Sequence, residues 1–201
     1  MRAAVIGSGA WGTTFACLLA QTGIPTTIWA RRAQIAEEIN AGSNRRYVAD
    51  LELPPLITAT TDLPAATAPA QLVVVAVPSQ TARAVLTPLA GGLREDAVAV
   101  SLMKGVELGT GMRMSEVLAE ALRLGPERVV VVSGPNLADE IAAGQPTATV
   151  VAAQDEETAA RVAACCATTT FRPYTNTDVL GVELCGAVST KIGRASCRER
   201  V

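Results

Sequence analysis

Residues 2–14 read Arg-Ala-Ala-Val-Ile-Gly-Ser-Gly-Ala-Trp-Gly-Thr-Thr, an apolar run that opens at Gly7 into Gly7-Ser8-Gly9-Ala10-Trp11-Gly12. Small residues over 13–22 then predict a helix. Strand, glycine turn and helix in this order, with G-x-G-x-x-G spacing, match a dinucleotide-binding fingerprint. Each glycine has its own physical task. Gly7 permits the tight turn out of the strand, Gly9 lets backbone N–H groups approach a pyrophosphate, and Gly12 lets the helix pack close to the strand. The helix start adds oriented amide donors and the positive end of a dipole.

Composition narrows the rest. The chain has 201 residues, 49% of them apolar and only 3% aromatic. Its core must be built from Ala, Val and Leu, which suits parallel strands covered on both faces. A net charge of −2 gives no electrostatic case for nucleic acid. No apolar run reaches the roughly 18 residues of a membrane span, and the sequence enters its first strand without a leader pattern, so a cytoplasmic protein is expected. The cysteines are Cys17, Cys165, Cys166, Cys185 and Cys197, with no C-x-x-C pair and no histidine anywhere. That disfavours a metal site, excludes histidine-based catalysis, and reads the cysteines as small core residues in a reducing compartment. Proton transfer must then use Lys, Tyr, Asp, Glu or water. Of 17 basic residues only Lys104 and Lys191 are lysine, and a compact amine with a tunable pKa marks them as candidates.

Strand and helix signals alternate along the chain. Strands are predicted at 26–30, 72–77, 97–102, 129–132, 147–152 and 169–174. Helices are predicted at 31–41, 80–90, 115–124, 137–143 and 156–167, with residues 42–69 as a long surface connection. A last helix begins at Asp178, with Val179, Leu180, Leu184 and Val188 as its apolar positions. The fold class is α/β, a Rossmann-like, doubly wound, mostly parallel sheet.

In such a sheet ligands sit beyond the carboxyl ends of the strands. Arg31 and Arg32 follow the second predicted strand, where an acid would bind the ribose 2′-hydroxyl of NAD and arginine suits a 2′-phosphate. NADP is favoured there and NAD stays open. Lys104 follows the 97–102 strand, and Gly134-Pro135-Asn136 follows the 129–132 strand and opens a helix able to meet an anion.

Together these residues resemble the NAD(P)-dependent glycerol-3-phosphate dehydrogenases of bacteria, from Met1 to about Val188. The resemblance is carried by the glycine turn with Trp11, Val77-Pro78-Ser79, Met103-Lys104-Gly105-Val106-Glu107, Ser133-Gly134-Pro135-Asn136-Leu137-Ala138, and Tyr174-Thr-Asn176 with Gly181-Val182-Glu183-Leu184. It implies hydride transfer between NAD(P)H and dihydroxyacetone phosphate, giving sn-glycerol 3-phosphate for phospholipid synthesis. It also implies cofactor contacts at Ala10, Trp11, Arg31, Arg32, Tyr47, Lys104 and Ala138, and substrate contacts at Lys104, Gly134 and Asn136. Asn136 stands where the family has Ser or Thr. The resemblance leaves room for a homodimer of the whole enzyme.

The implied organisation is a nucleotide-binding domain over 1–176, the start of a helical substrate domain over 177–190, and a tail over 191–201. Most of the helical domain would then be missing. One departure bears on chemistry. After Gly186-Ala187-Val188 the family has a lysine as proton acceptor, and here Ser189 stands in its place. A neutral hydroxyl does not replace an amine of lowered pKa. Lys191 lies about 200° further round a helix and faces elsewhere. Residues 192–201, Ile-Gly-Arg-Ala-Ser-Cys-Arg-Glu-Arg-Val, resemble the translated read-through of a sequencing adapter and are set aside as a scar. The expectation is a chain that keeps part of the cofactor site with little or no turnover. The alternatives are a non-catalytic NADP(H)-binding module and a dehydrogenase of the same fold acting on another hydroxy or keto acid.

Overall fold

The computed structural model describes residues 1–198, with side chains described through Val188. The readings made for Ser189, Lys191, Cys197 and the 192–201 tail lie outside the described side chains.

Eight strands form one sheet in the order β3-β2-β1-β4-β5-β6-β7-β8. They are β1 (Ala3–Ile6), β2 (Thr26–Trp29), β3 (Ile57–Thr60), β4 (Leu72–Val75), β5 (Val98–Ser101), β6 (Val129–Ser133), β7 (Thr147–Ala152) and β8 (Phe171–Asn176). The helices are α1 (Ala10–Gln21), α2 (Ala33–Asn40), α3 (Leu63–Thr67), α4 (Ala82–Leu86), α5 (Met114–Leu122), α6 (Ala138–Ala142), α7 (Glu156–Cys166) and α8 (Val179–Arg198). Pairing is parallel from β3 through β6, antiparallel between β6 and β7, and parallel again between β7 and β8. The strand order turns at the β1–β4 pair, which opens the crevice between their carboxyl ends.

The side chains explain the two covered faces. Ala3, Val5, Leu72, Val74, Val98 and Val100 point into one core with Phe15, Leu19 and Phe171. Ala4, Ile6, Val73, Val75 and Ala99 point into the other with Leu86, Val117 and Leu118. Successive residues of a strand face opposite ways, so an unbroken apolar run serves a sheet buried on both sides. All four residues of β4 are buried, which is worth roughly 1.5–3 kcal/mol for each large side chain.

The structure corrects the sequence reading in three places. Residues 42–69 are not one long connection: they hold β3, which pairs with β2, and α3, whose first turn is capped by Asp62 accepting from the Ala65 N–H. The 80–90 helix is broken into α4 between two 3-10 turns, with Pro88 at the start of the second. Cys185 is exposed, unlike the buried Cys17, Cys165 and Cys166. The last helix leaves Leu180, Leu184 and Val188 outward, at 51%, 46% and 56% exposure, in line with an exposed apolar face there, and buries Glu183. Among the described residues no helix is long and apolar enough to cross a membrane.

Candidate functional site

The glycine turn joins β1 to α1. Gly7 has φ of 120°, and a Cβ there would lie 2.5 Å from the Ala76 carbonyl oxygen. At Gly12 a Cβ would collide with the Gly7 carbonyl oxygen, so α1 sits hard against the turn. Gly9 differs from both, since nothing lies within 4 Å of a Cβ built on it. Its open side faces a crevice of about 330 Å³ lined by Gly7, Gly9, Arg31, Arg32, Tyr47 and Val77 among others. Gly9 is the N-cap of α1 and offers no side-chain cap, so the first amides of the helix have no partner within it. Such a helix start favours an anion.

The turn is braced from outside by Asn44, which sequence reasoning missed. This fully buried residue donates from Nδ2 to the Ser8 carbonyl oxygen at 3.0 Å and to Thr13 Oγ1 at 2.8 Å. Nothing in the local pattern marks it, because a buried asparagine in a loop looks like any turn asparagine. At the far end of the crevice Arg32 donates from Nη2 to Tyr47 Oη at 2.7 Å. Arg31 and Arg32 are both exposed, so their charge faces the crevice mouth without a carboxylate partner among the described ion pairs.

Not every residue singled out from sequence lies in that crevice. The Trp11 ring packs edge-on to Phe15 with centroids 5.6 Å apart and lies 6.4 Å from Phe171. It belongs to the core, which leaves the Trp11 backbone as its polar contribution to the turn. Ala10 opens α1 and Ala138 opens α6. Residues of α6, which packs against α1, also line a second depression with the 45–51 loop.

Lys104 and Gly134 meet directly. Lys104 Nζ donates to the Gly134 carbonyl oxygen at 2.7 Å, and burial lowers the amine's pKa from its ordinary value. The loop that follows Lys104 is braced from two sides. Arg83 on α4 donates from Nε and Nη2 to both oxygens of Glu107, and from Nη1 to Glu120. The Arg83 guanidinium, followed by the Thr110 hydroxyl, holds the Glu107 carboxyl below the usual carboxylate range. Gln80 adds two bonds to the same loop, donating to the Val106 carbonyl oxygen and accepting from the Leu108 N–H.

Gly134 abuts β7, where a Cβ would come within 3.2 Å of the Thr149 Cα. The antiparallel turn of β7 makes this contact, and it was not legible in the sequence. Asn136 donates from Nδ2 to Thr149 Oγ1 at 2.8 Å, while its Oδ1 is buried with no partner. It does not open a helix directly, because α6 starts at Ala138 with Leu137 as N-cap. A cavity of about 480 Å³ lies between the β6 end and α8, lined by Ser133, Gly134, Pro135, Asp178, Cys185 and Gly186 among others.

The arrangement therefore offers a glycine-lined anion crevice with two arginines at its end, and a partly buried amine one strand beyond β4. The chain as a whole is similar to known proteins. Chain residues 2–159 match the family model described as NAD-dependent glycerol-3-phosphate dehydrogenase N-terminus. A Glycerol-3-phosphate dehydrogenase [NAD(P)+] of Streptomyces avermitilis is 52% identical over 196 residues, covering 97% of this chain and 58% of that protein. Its counterpart in Thermobifida fusca is also 52% identical, over 96% of this chain and 58% of its own length. The crystal structure of glycerol-3-phosphate dehydrogenase from Coxiella burnetii superposes with a TM-score of 0.85 at 32% identity, over 92% of this chain and 56% of that one. The chain thus spans less than two thirds of the relatives it matches. With its glycine turn, strand order and Lys104 loop inside or beside the matched segment, the chain belongs to the NAD-dependent glycerol-3-phosphate dehydrogenase N-terminal family.

Proposed function

We propose that this chain binds NADP(H), or NAD(H), along the glycine turn, and forms the nucleotide side of a site for hydride transfer between dihydroxyacetone phosphate and sn-glycerol 3-phosphate. The carrying observation is the contrast between Gly9, open to the crevice, and Gly7 and Gly12, closed against backbone. That cradle fits a pyrophosphate, because Cβ-free backbone and unpaired helix amides meet there. Ala10 and Trp11 would contribute amides, and Arg31 and Arg32, with Tyr47 beside them, would hold the adenosine end. When bound, the nicotinamide would supply or accept the hydride.

Lys104, Gly134 and Asn136 take the substrate side, with Lys104 shared with the cofactor and Ala138, at the start of α6, as a further cofactor contact. The Lys104 ammonium can exchange the Gly134 carbonyl for an oxygen of the ketone phosphate, to which it donates a charge-assisted bond. The buried, unpartnered Asn136 Oδ1 is an acceptor held ready for a donor such as a substrate hydroxyl. The described cysteines are free thiols, which supports a cytoplasmic, reducing setting.

A second reading is a nucleotide-binding module without turnover, and Ser189 favours it. An alcohol must lose its proton as the hydride leaves, and a serine is a poor acceptor beside an amine of lowered pKa. One experiment addresses both readings. The purified chain is titrated with NADPH by fluorescence, then supplied with dihydroxyacetone phosphate while NADPH absorbance is followed. Binding with little or no oxidation is expected. Folded protein that binds no pyridine nucleotide would end the first reading, and turnover at an ordinary enzymatic rate would end the second.

A further inference from the structure

Glu183 is an acid on the inward face of α8, with its side chain only 6% exposed. Three donors meet it. The Ser115 N–H and Ser115 Oγ donate at 2.8 and 2.5 Å, and Arg113 Nη1 donates at 3.0 Å. Ser115 lies in the first turn of α5, where backbone N–H groups lack helical partners and the dipole favours a negative charge. A carboxylate buried without partners is strongly disfavoured, so this cluster fixes where α8 can sit.

One turn further along the same face lies Gly186. A Cβ there would collide with Ser133 Oγ and come within 4.0 Å of Lys104 Cγ. The α8 backbone therefore passes beside the stem of Lys104, whose ammonium donates to Gly134. The spacing of three residues between Glu183 and Gly186 puts anchor and glycine on one side of the helix.

We infer that Glu183 is a positioning residue for Lys104: by fastening α8 to the start of α5, it seats Gly186 beside the lysine stem and sets how the amine is held at the Gly134 carbonyl. This rests on Lys104 belonging to the site, as proposed above, but its test uses neither nucleotide nor ketone. Lys104 has no contact with Glu183 among the described bonds, so the effect runs through the helix.

The test is the pH profile of Lys104 acylation by a small amine-reactive ester, read peptide by peptide by mass spectrometry, with the Met1 amine as internal reference. In Glu183→Ala the high-pH plateau rate of Lys104 should rise at least about threefold as the helix lifts. The midpoint should move up by roughly half a pH unit or more, toward an ordinary lysine. Glu183→Gln should fall between wild type and Glu183→Ala, since its Oε1 still accepts from the Ser115 N–H. A merely structural acid would lower the melting temperature and leave both quantities at wild-type values in the folded protein, which overturns the inference. Should Glu183→Ala not fold, Ser115→Ala removes one donor only. A smaller shift in the same direction then supports the inference, and an unchanged profile overturns it. Failure of nucleotide binding or turnover would leave these readings intact and would count against the proposed function alone.

Discussion

Lys104 Nζ donates to the Gly134 carbonyl oxygen at 2.7 Å, tying the loop after β5 to the loop after β6 across the mouth of the sheet. Adjacent parallel strands end side by side, so residues 30 apart in sequence become partners. The bond holds the amine partly buried beside the Gly134 carbonyl, with two further N–H donors left to offer.

This placement gives the protein a pH signature. Burial lowers the Lys104 pKa in the folded state, so in the window between that value and the ordinary one the unfolded chain binds more protons. Stability therefore rises with pH through that window, and the unfavourable contribution is fully present below it. Denaturant midpoints collected in steps up to the ordinary lysine range should show that rise, and Lys104→Met should flatten it. Parallel profiles for the two proteins would contradict the assignment.

The glycine turn should separate folding from binding. Gly12→Ala drives a Cβ into the Gly7 carbonyl and should cost about 1–3 kcal/mol, seen as a lower denaturant midpoint. Gly9→Ala meets no atom, and its φ of −73° suits alanine, so the fold should be unchanged. NADPH affinity should nevertheless drop by about tenfold or more, roughly 1.4 kcal/mol, as the methyl group blocks close approach. Unaltered NADPH affinity in Gly9→Ala would place the nucleotide elsewhere.

Coenzyme choice should lie with the arginines. Replacing Arg31 and Arg32 by serine should weaken NADPH by about 10-fold or more while NADH changes little, the size of one charge-assisted phosphate contact. Tyr47→Phe removes the hydroxyl that Arg32 bonds and should give a milder effect. Equal loss for both coenzymes in calorimetric titrations would remove the 2′-phosphate from the argument.

The outward row Leu180, Leu184 and Val188 is a contiguous apolar stripe on α8. Such stripes promote association, so the chain should show concentration-dependent mass in light scattering. Leu180→Glu with Leu184→Glu should restore a single monomer mass. No difference between the two proteins would mean that the stripe is inert.

Much of the fold was legible because it rests on local chemistry. The β-branched run Leu72-Val-Val-Val75 is a buried strand wherever it occurs, and Gly7 with Gly12 is a turn feeding a packed helix. β3 and α3 escaped notice because Ile57–Thr60 is short and polar on one side, and its stability comes from pairing with β2. The place of Arg31 and Arg32 was legible from strand order, while Tyr47 was expected only through the family resemblance. The Asn44 brace and the Arg83 clamp on Glu107 were not, since each joins segments far apart in the chain.

The sequence by itself determined a doubly wound sheet with a nucleotide-type turn at its head, because alternation of apolar runs and glycine spacing act over a few neighbouring residues. Only the tertiary structure decided how α8 lies. A row of apolar side chains on a helix ordinarily packs inward, yet Leu180 and Leu184 lie outward. The orphan amide and hydroxyl of Ser115, together with Arg113, instead draw the Glu183 carboxylate inside. A buried charge goes where its donors are, and donors on another helix are not written in the local pattern.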